Sequence, residues 1–99
     1  MLIYIQTNYR TVTLEDVSQK FGYSQRQIIR IIRSSTDKTF TQLLTQLRME
    51  KAASLLQTDM PIEKIAAEVG YSSLSGFYQA FFNYFNRTPG AWKQTQHTH

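Results

Sequence analysis

Apolar and polar positions along the chain fall into helical periods, and one such stretch occurs twice. Leu14-Glu15-Asp16-Val17-Ser18-Gln19-Lys20-Phe21-Gly22-Tyr23-Ser24 returns as Ile62-Glu63-Lys64-Ile65-Ala66-Ala67-Glu68-Val69-Gly70-Tyr71-Ser72. Apolar residues recur three and four apart, and nothing alternates with period two, so the pattern predicts helices and no strands. Each copy reads as a short amphipathic helix, a turn containing Gly, and a second helix. That is the outline of a helix-turn-helix, whose second helix can enter a DNA major groove.

Start and stop signals place the remaining elements. Leu2, Ile3, Ile5 and Tyr9 suggest a short leading helix over residues 2–9. Thr13 with Asp16, Ser24 with Gln27, and Thr39 with Gln42 each have capping-box spacing. They begin helices that end near Gly22, Ser35 and Gln57. The last of these is the longest, with Leu43, Leu44, Leu47, Ala52, Leu55 and Leu56 as its apolar side. Pro61 sits near the start of the next helix, where proline is tolerated. The second copy's second helix spans roughly Ser73 to Phe85, and Thr88-Pro89 opens a last short helix near Trp92. Asp37-Lys38-Thr39-Phe40 parallels Asn86-Arg87-Thr88-Pro89, with Asp and Asn able to take the left-handed position that ends a helix.

The expected fold is therefore all-α, about seven helices. Two helix-turn-helix subdomains, residues 1–40 and 58–94, are joined by a long central helix over 41–57. A polar tail at 95–99 is expected to be disordered. A joining helix of 17 residues is about 25 Å long at 1.5 Å per residue. Successive major-groove faces of B-DNA lie about 34 Å apart, so two-site reading requires splayed reading helices or bent DNA.

Composition narrows the function. Ninety-nine residues suffice for one domain or two very small subdomains. The net charge of +4 and isoelectric point near 9.6 suit an anionic partner. Residues 1–49 carry seven Lys/Arg and three Asp/Glu, whereas residues 50–99 carry four of each, so the whole excess lies in the first half. With no cysteine, disulfides, thiol catalysis and thiolate metal sites are excluded. No signal peptide is evident and no run approaches the ~18–20 apolar residues of a membrane span, so the default location is cytoplasmic, with the nucleoid. Enzymatic activity is not expected. His97 and His99 sit in the tail, the carboxylates are scattered, and no nucleophile constellation appears; no cofactor or metal is expected.

The two second helices carry the candidate chemistry. On a helical wheel Arg26, Arg30 and Arg33 fall within about 60° of arc, with Ile29 at its edge and Ile28, Ile31 and Ile32 opposite. A guanidinium fork matches guanine N7/O6 and phosphate oxygens, and an exposed Ile can pack on a thymine methyl. In the second copy Phe77, Ala80, Phe81 and Tyr84 share the core side, while Ser75, Tyr78, Gln79 and Phe82 face away and Leu74 lies near the start. Gln79 can bond adenine bidentately and Ser75 a base or phosphate. Phe82, an aromatic on a face expected to be wet, is either half-buried or a contact for a partner.

These residues resemble the AraC-type family of bacterial transcription regulators. The matching pattern is Ile65-Ala66-Ala67-Glu68-Val69-Gly70-Tyr71, Phe77, Phe81 and Thr88-Pro89-Gly90-Ala91-Trp92-Lys93. Arg48-Met49-Glu50-Lys51-Ala52-Ala53-Ser54-Leu55-Leu56 matches the linking helix. The likeness covers about residues 2–93. It implies sequence-specific binding of double-stranded promoter or operator DNA by two helix-turn-helix motifs in adjacent major-groove segments. Carried over, base contacts fall to Arg26, Ile29, Arg30, Leu74, Ser75, Tyr78 and Gln79, with Arg33, Arg48 and Arg87 as phosphate candidates. Family members usually attach this unit to an effector-sensing or dimerising region, which these residues do not contain. Activation is the family tendency, and an activator must touch RNA polymerase or another regulator. Three positions depart from the family pattern: Gln79 for Arg, Phe82 for Lys and Asn86 for Gly. The first two lower the affinity expected of the second motif, while Asn tolerates the conformation Gly would adopt; the first motif is therefore expected to supply most of the affinity and the second to add register. The alternative is a helical protein-interaction module using Tyr78 and Phe82; salt dependence separates the two, because binding through phosphates weakens steeply with salt.

Overall fold

The computed structural model describes residues 1–97, with side chains through residue 93. Among the described residues there are seven helices: α1 Leu2–Thr7, α2 Leu14–Phe21, α3 Gln25–Thr36, α4 Phe40–Leu55, α5 Ile62–Glu68, α6 Leu74–Phe85 and α7 Pro89–His97. None is long and apolar enough to cross a membrane. Packing divides the chain into two units, Met1–Leu47 and the residues from Arg48 onward, with α4 running through the division.

Local chemistry sets the helix ends. The Thr13 hydroxyl accepts from the Asp16 N–H (3.1 Å) while Asp16 Oδ2 accepts from the Thr13 N–H (2.9 Å). Ser24 and Gln27 form the same reciprocal pair at 3.2 and 2.9 Å, as do Thr39 and Gln42 at 3.1 and 2.9 Å. Each box satisfies two backbone donors that have no partner inside the helix. Stops are equally local: Gly22, Asp37 and Asn86 take left-handed φ values of 72°, 60° and 58°. Helix α1 ends at Thr7 rather than residue 9, with Asn8 leaving the helical conformation at its C-cap; the Thr7 hydroxyl and the Asn8 side-chain amide donate to the Ile3 and Tyr4 carbonyls at 2.8 and 2.9 Å. Helix α4 ends at Leu55 rather than Gln57, where bonds of Gln57 to Ser54 and Thr58 to Leu55 tighten the last turn.

In the first unit Ile5, Val12, Val17, Ile28, Ile32, Leu43 and Leu44 form the buried core, with Tyr4, Leu14, Phe21, Phe40 and Leu47 packed against it. The Tyr4 and Phe21 rings meet edge to face at 5.7 Å. In the second unit Met49, Ala52, Leu56, Ile65, Ala66, Val69, Phe77 and Phe81 are buried. Helix α4 therefore contributes Leu43, Leu44 and Leu47 to one core and Met49 and Ala52 to burial in the other, where Leu56, just past its end, is also buried. Its apolar positions serve two cores, which a single apolar stripe through Leu55 does not capture.

Three expectations are corrected. Tyr84, assigned to the core side of α6, is 42% exposed. The half-buried Phe85 takes that role, its ring 4.6 Å from both Phe81 and Trp92. The local partner there is α7, whose Trp92 lies on the Phe85 side. Helix α7 also runs on to His97, past Gln94 where regular structure is expected to stop. No Gly or Pro follows Gly90 to break it, and Lys and Gln are good helix formers. Thr98 and His99 lie outside the described residues. Third, the offset between the copies is not constant. Gly22 recurs as Gly70, 48 positions on, but the capping Ser24 recurs as Ser73, 49 positions on. The second turn holds one more residue. Its backbone closes through Tyr71 N–H to Ala66 O at 2.9 Å, around Gly70 at φ 98°. In the first turn Gly22 N–H bonds Ser18 O at 3.0 Å, and the Ser18 hydroxyl donates to the Tyr23 carbonyl.

Candidate nucleic-acid interface

In the first unit α2 and α3 pack across the Gly22 turn, and the wheel separates as the sequence predicts. Ile28 and Ile32 are fully buried and Ile31 half-buried, which turns Arg26, Arg30 and Arg33 to solvent. Ile29 stays 46% exposed between them. The box of Ser24 and Gln27 closes the start of α3, so its first turn is rigid where a reading helix must present side chains. Aligned guanidinium groups on one helix repel modestly, by a few tenths of a kcal/mol per i,i+4 pair. They are stable at the surface but favour an anionic partner.

In the second unit the N-cap Ser73 accepts from the Gly76 N–H at 3.1 Å, with no reciprocal side chain. Ser75 and Gln79 are exposed, Leu74 is 37% exposed and Phe82 51%. Tyr78 is half-buried, its ring 6.3 Å from Phe77, so it is less available than the wheel suggests. The face carries hydroxyl, amide and aromatic groups and no formal charge.

The expected phosphate contacts have different surroundings. Arg33 and Arg87 are exposed, Arg87 lying between the left-handed Asn86 and the α7 cap Thr88. Arg48 is half-buried, its guanidinium 5.7 Å over the Tyr71 ring. Burial raises the Tyr71 phenol above its ordinary 10, and the Arg48 charge and hydrogen bond partly offset that rise. Arg48 thus anchors the second unit's turn, and any phosphate it meets shares a guanidinium already engaged. Lys20, 5.9 Å over the Tyr4 ring, is a similar cation on an aromatic in the first unit. Among the described residues, no group of three or more His, Cys, Asp or Glu side chains is placed to hold a metal.

The correspondence between the two reading helices is the feature that sequence inspection missed. Both α3 and α6 are 12 residues long, begin one residue after a capping Ser and end before a left-handed residue. Arg26, Ile29, Arg30 and Arg33 therefore correspond to Ser75, Tyr78, Gln79 and Phe82. The signal was present: Asp37-Lys38-Thr39 and Asn86-Arg87-Thr88 are 49 positions apart, one more than the two Gly-Tyr-Ser triplets.

Residues 17–95 match the profile of a helix-turn-helix domain family. Regulatory protein SoxS of Salmonella typhimurium is 34% identical over 83 residues, which cover 83% of this chain and 78% of that protein. The C-terminal domain of AraT, a response regulator from Geobacillus stearothermophilus, superposes with a TM-score of 0.88 at 37% identity, covering 93% of this chain and 78% of that one. A Chromobacterium violaceum transcriptional regulator, described as an AraC-type DNA-binding-domain protein, superposes at 0.88 with 25% identity, covering 98% and 88%. Other curated relatives are longer, and the chain spans only 31% and 29% of two of them.

Proposed function

The chain belongs to the AraC-type helix-turn-helix family of DNA-binding transcription regulators, and from that premise we propose that α3 and α6 each read a segment of a promoter or operator through the major groove. The observation that carries this is the exposed stripe of Arg26, Arg30 and Arg33, opposite the buried Ile28 and Ile32 of a helix that follows a capped turn.

The roles follow from reach and chemistry. Arg26, Ile29 and Arg30 lie in the first half of α3, and Leu74, Ser75, Tyr78 and Gln79 in the first half of α6, where reading helices meet base edges. Arg33, further along, and Arg87 take phosphates, and Arg48 is the third phosphate candidate. The first motif supplies most of the affinity, because its face holds the charge. A role as activator fits the chain's relatives, one of which is named a transcriptional activator. Such a role requires contact with RNA polymerase, and these residues work within a longer regulator at chromosomal DNA in the cytoplasm.

The test is selection of duplexes from a random library by the 99-residue chain, followed by affinity of the winner across salt. Two enriched elements and a steep negative dependence of log affinity on log salt are expected. No enrichment with a flat dependence refutes the DNA reading and leaves a protein-docking role for the uncharged α6 face.

A further inference from the structure

The matching phase of α3 and α6 makes their outer faces comparable residue by residue. Both helices are fixed at each end, by Ser24 and Asp37 in one and by Ser73 and Asn86 in the other. In that frame a hydroxyl (Ser75) replaces Arg26, an amide (Gln79) replaces Arg30, and aromatic rings (Tyr78 and Phe82) replace Ile29 and Arg33. Phe82 lies one turn after Tyr78 and on the same flank of Gln79. It remains 51% exposed, although the adjacent Phe81 is fully buried.

At this position the long side chain of Arg33 can extend past the base edges to a phosphate, whereas the shorter phenyl ring of Phe82 offers nothing to a phosphate oxygen and stays near the helix surface. Its counterpart in the major groove is the thymine C5 methyl, the one apolar group that base edges present there. The adenine of the same A·T pair shows the N6/N7 edge that a glutamine amide bonds bidentately. Amide and rings on one face therefore select the same base pair by its two halves. Resting on the DNA reading above, we infer that the second motif recognises an adenine–thymine element, with Gln79 taking adenine while Phe82, together with Tyr78, packs on thymine methyls. Burying rings against methyls releases no counterions, so this contact contributes discrimination that salt does not erode. The first motif's contacts, made through guanidinium groups, weaken as salt rises.

Deoxyuridine tests this directly, since it removes the methyl and leaves the hydrogen-bonding edge intact. In the duplex enriched by the whole chain, the second element is the one whose readout relaxes in Gln79→Ala. Replacing its contacted thymines by deoxyuridine weakens binding about fourfold per methyl, with the salt slope unchanged. Phe82→Ala, at an exposed position, discriminates thymine from uracil less than the parent, leaving only the share that Tyr78 supplies, while an unchanged helical circular-dichroism signal and thermal melt verify its fold. Phe82→Arg steepens the salt slope by about 0.9 and diminishes the methyl discrimination. The inference is overturned if deoxyuridine has no effect on a duplex the chain still selects, or if the methyl effect persists undiminished in Phe82→Ala. Both outcomes leave DNA binding standing. Failure to enrich any duplex overturns the DNA reading and this inference with it.

Discussion

Arg30→Gln places in the first reading helix the residue that the second carries at the same position. Arg30 is exposed on the second turn of α3, away from the buried Ile28 and Ile32. It takes part in neither the box of Ser24 and Gln27 nor the final bond from the Asp37 N–H to the Arg33 carbonyl. Stability is therefore expected within about 0.5 kcal/mol of the parent, and relief of the i,i+4 repulsion from Arg26 pushes it slightly upward. Binding should change far more. Losing a bidentate arginine–guanine contact costs about 1–3 kcal/mol, or roughly a five- to 150-fold loss on the selected duplex. Because a glutamine amide fits adenine, the variant should also bind a duplex with that guanine changed to adenine better than the original. Fluorescence anisotropy on the two duplexes at several salt concentrations reads both effects, and urea unfolding verifies the fold. If instead the variant weakens equally on every sequence while the salt slope falls by about 0.9, Arg30 grips a phosphate and its assignment as a base reader is wrong.

Other expectations follow from the same geometry. Arg33→Ala should weaken binding uniformly and reduce the salt slope by about 0.9 without altering the enriched sequence; a changed sequence preference would make Arg33 a base reader. Gly22→Ala isolates backbone strain, since a Cβ there meets nothing within 4 Å while φ is 72°. The cost should be about 1–2 kcal/mol in chemical unfolding, and an unshifted midpoint would show that the turn tolerates any residue. Tyr71 keeps its proton more tightly when folded than its ordinary value of 10, because it is buried. The stability from this is full below pH 10 and lost as pH climbs through and above it. Thermal melts from pH 9 to 11 should decline less steeply in Tyr71→Phe, and identical slopes would remove burial of this phenol as the cause.

Much of the fold was legible because its determinants are short-range. Thr13 with Asp16, Ser24 with Gln27 and Thr39 with Gln42 each act over three residues, and all three form the bonds their spacing predicts. The left-handed stops at Asp37 and Asn86 are equally local. The arginine stripe was legible because Ile28 and Ile32 leave α3 only one way to face its core. Illegible features depend on a partner brought from elsewhere in the chain. The wheel gives Tyr84 to the core, but Trp92 of α7 recruits Phe85 instead. Arg48 reads as a free cation until Tyr71 is folded beneath it. Met49 is fully buried in the second unit although the apolar stripe assigned to the long helix omits it.

The one-residue change of offset shows why the chemistry of the second motif needed the structure. Aligned on Gly-Tyr-Ser, Arg30 would face Tyr78 and the buried Ile28 would face Gly76, pairing a reader with a ring and a core residue with no side chain. The phase of a reading helix is set by its own N-cap, since the capped turn determines which side chain leaves the axis in which direction. With the caps superposed, Ile28 meets Phe77 and Ile32 meets Phe81, all four fully buried. The core thus verifies the frame independently of any functional assumption. Only in that frame do the outer faces compare position for position, and only there is an arginine opposite the exposed Phe82. The two copies share cap, phase and buried side, and their outer residues differ. Discrimination between the two DNA elements therefore belongs to those outer residues, which the fold leaves free to change.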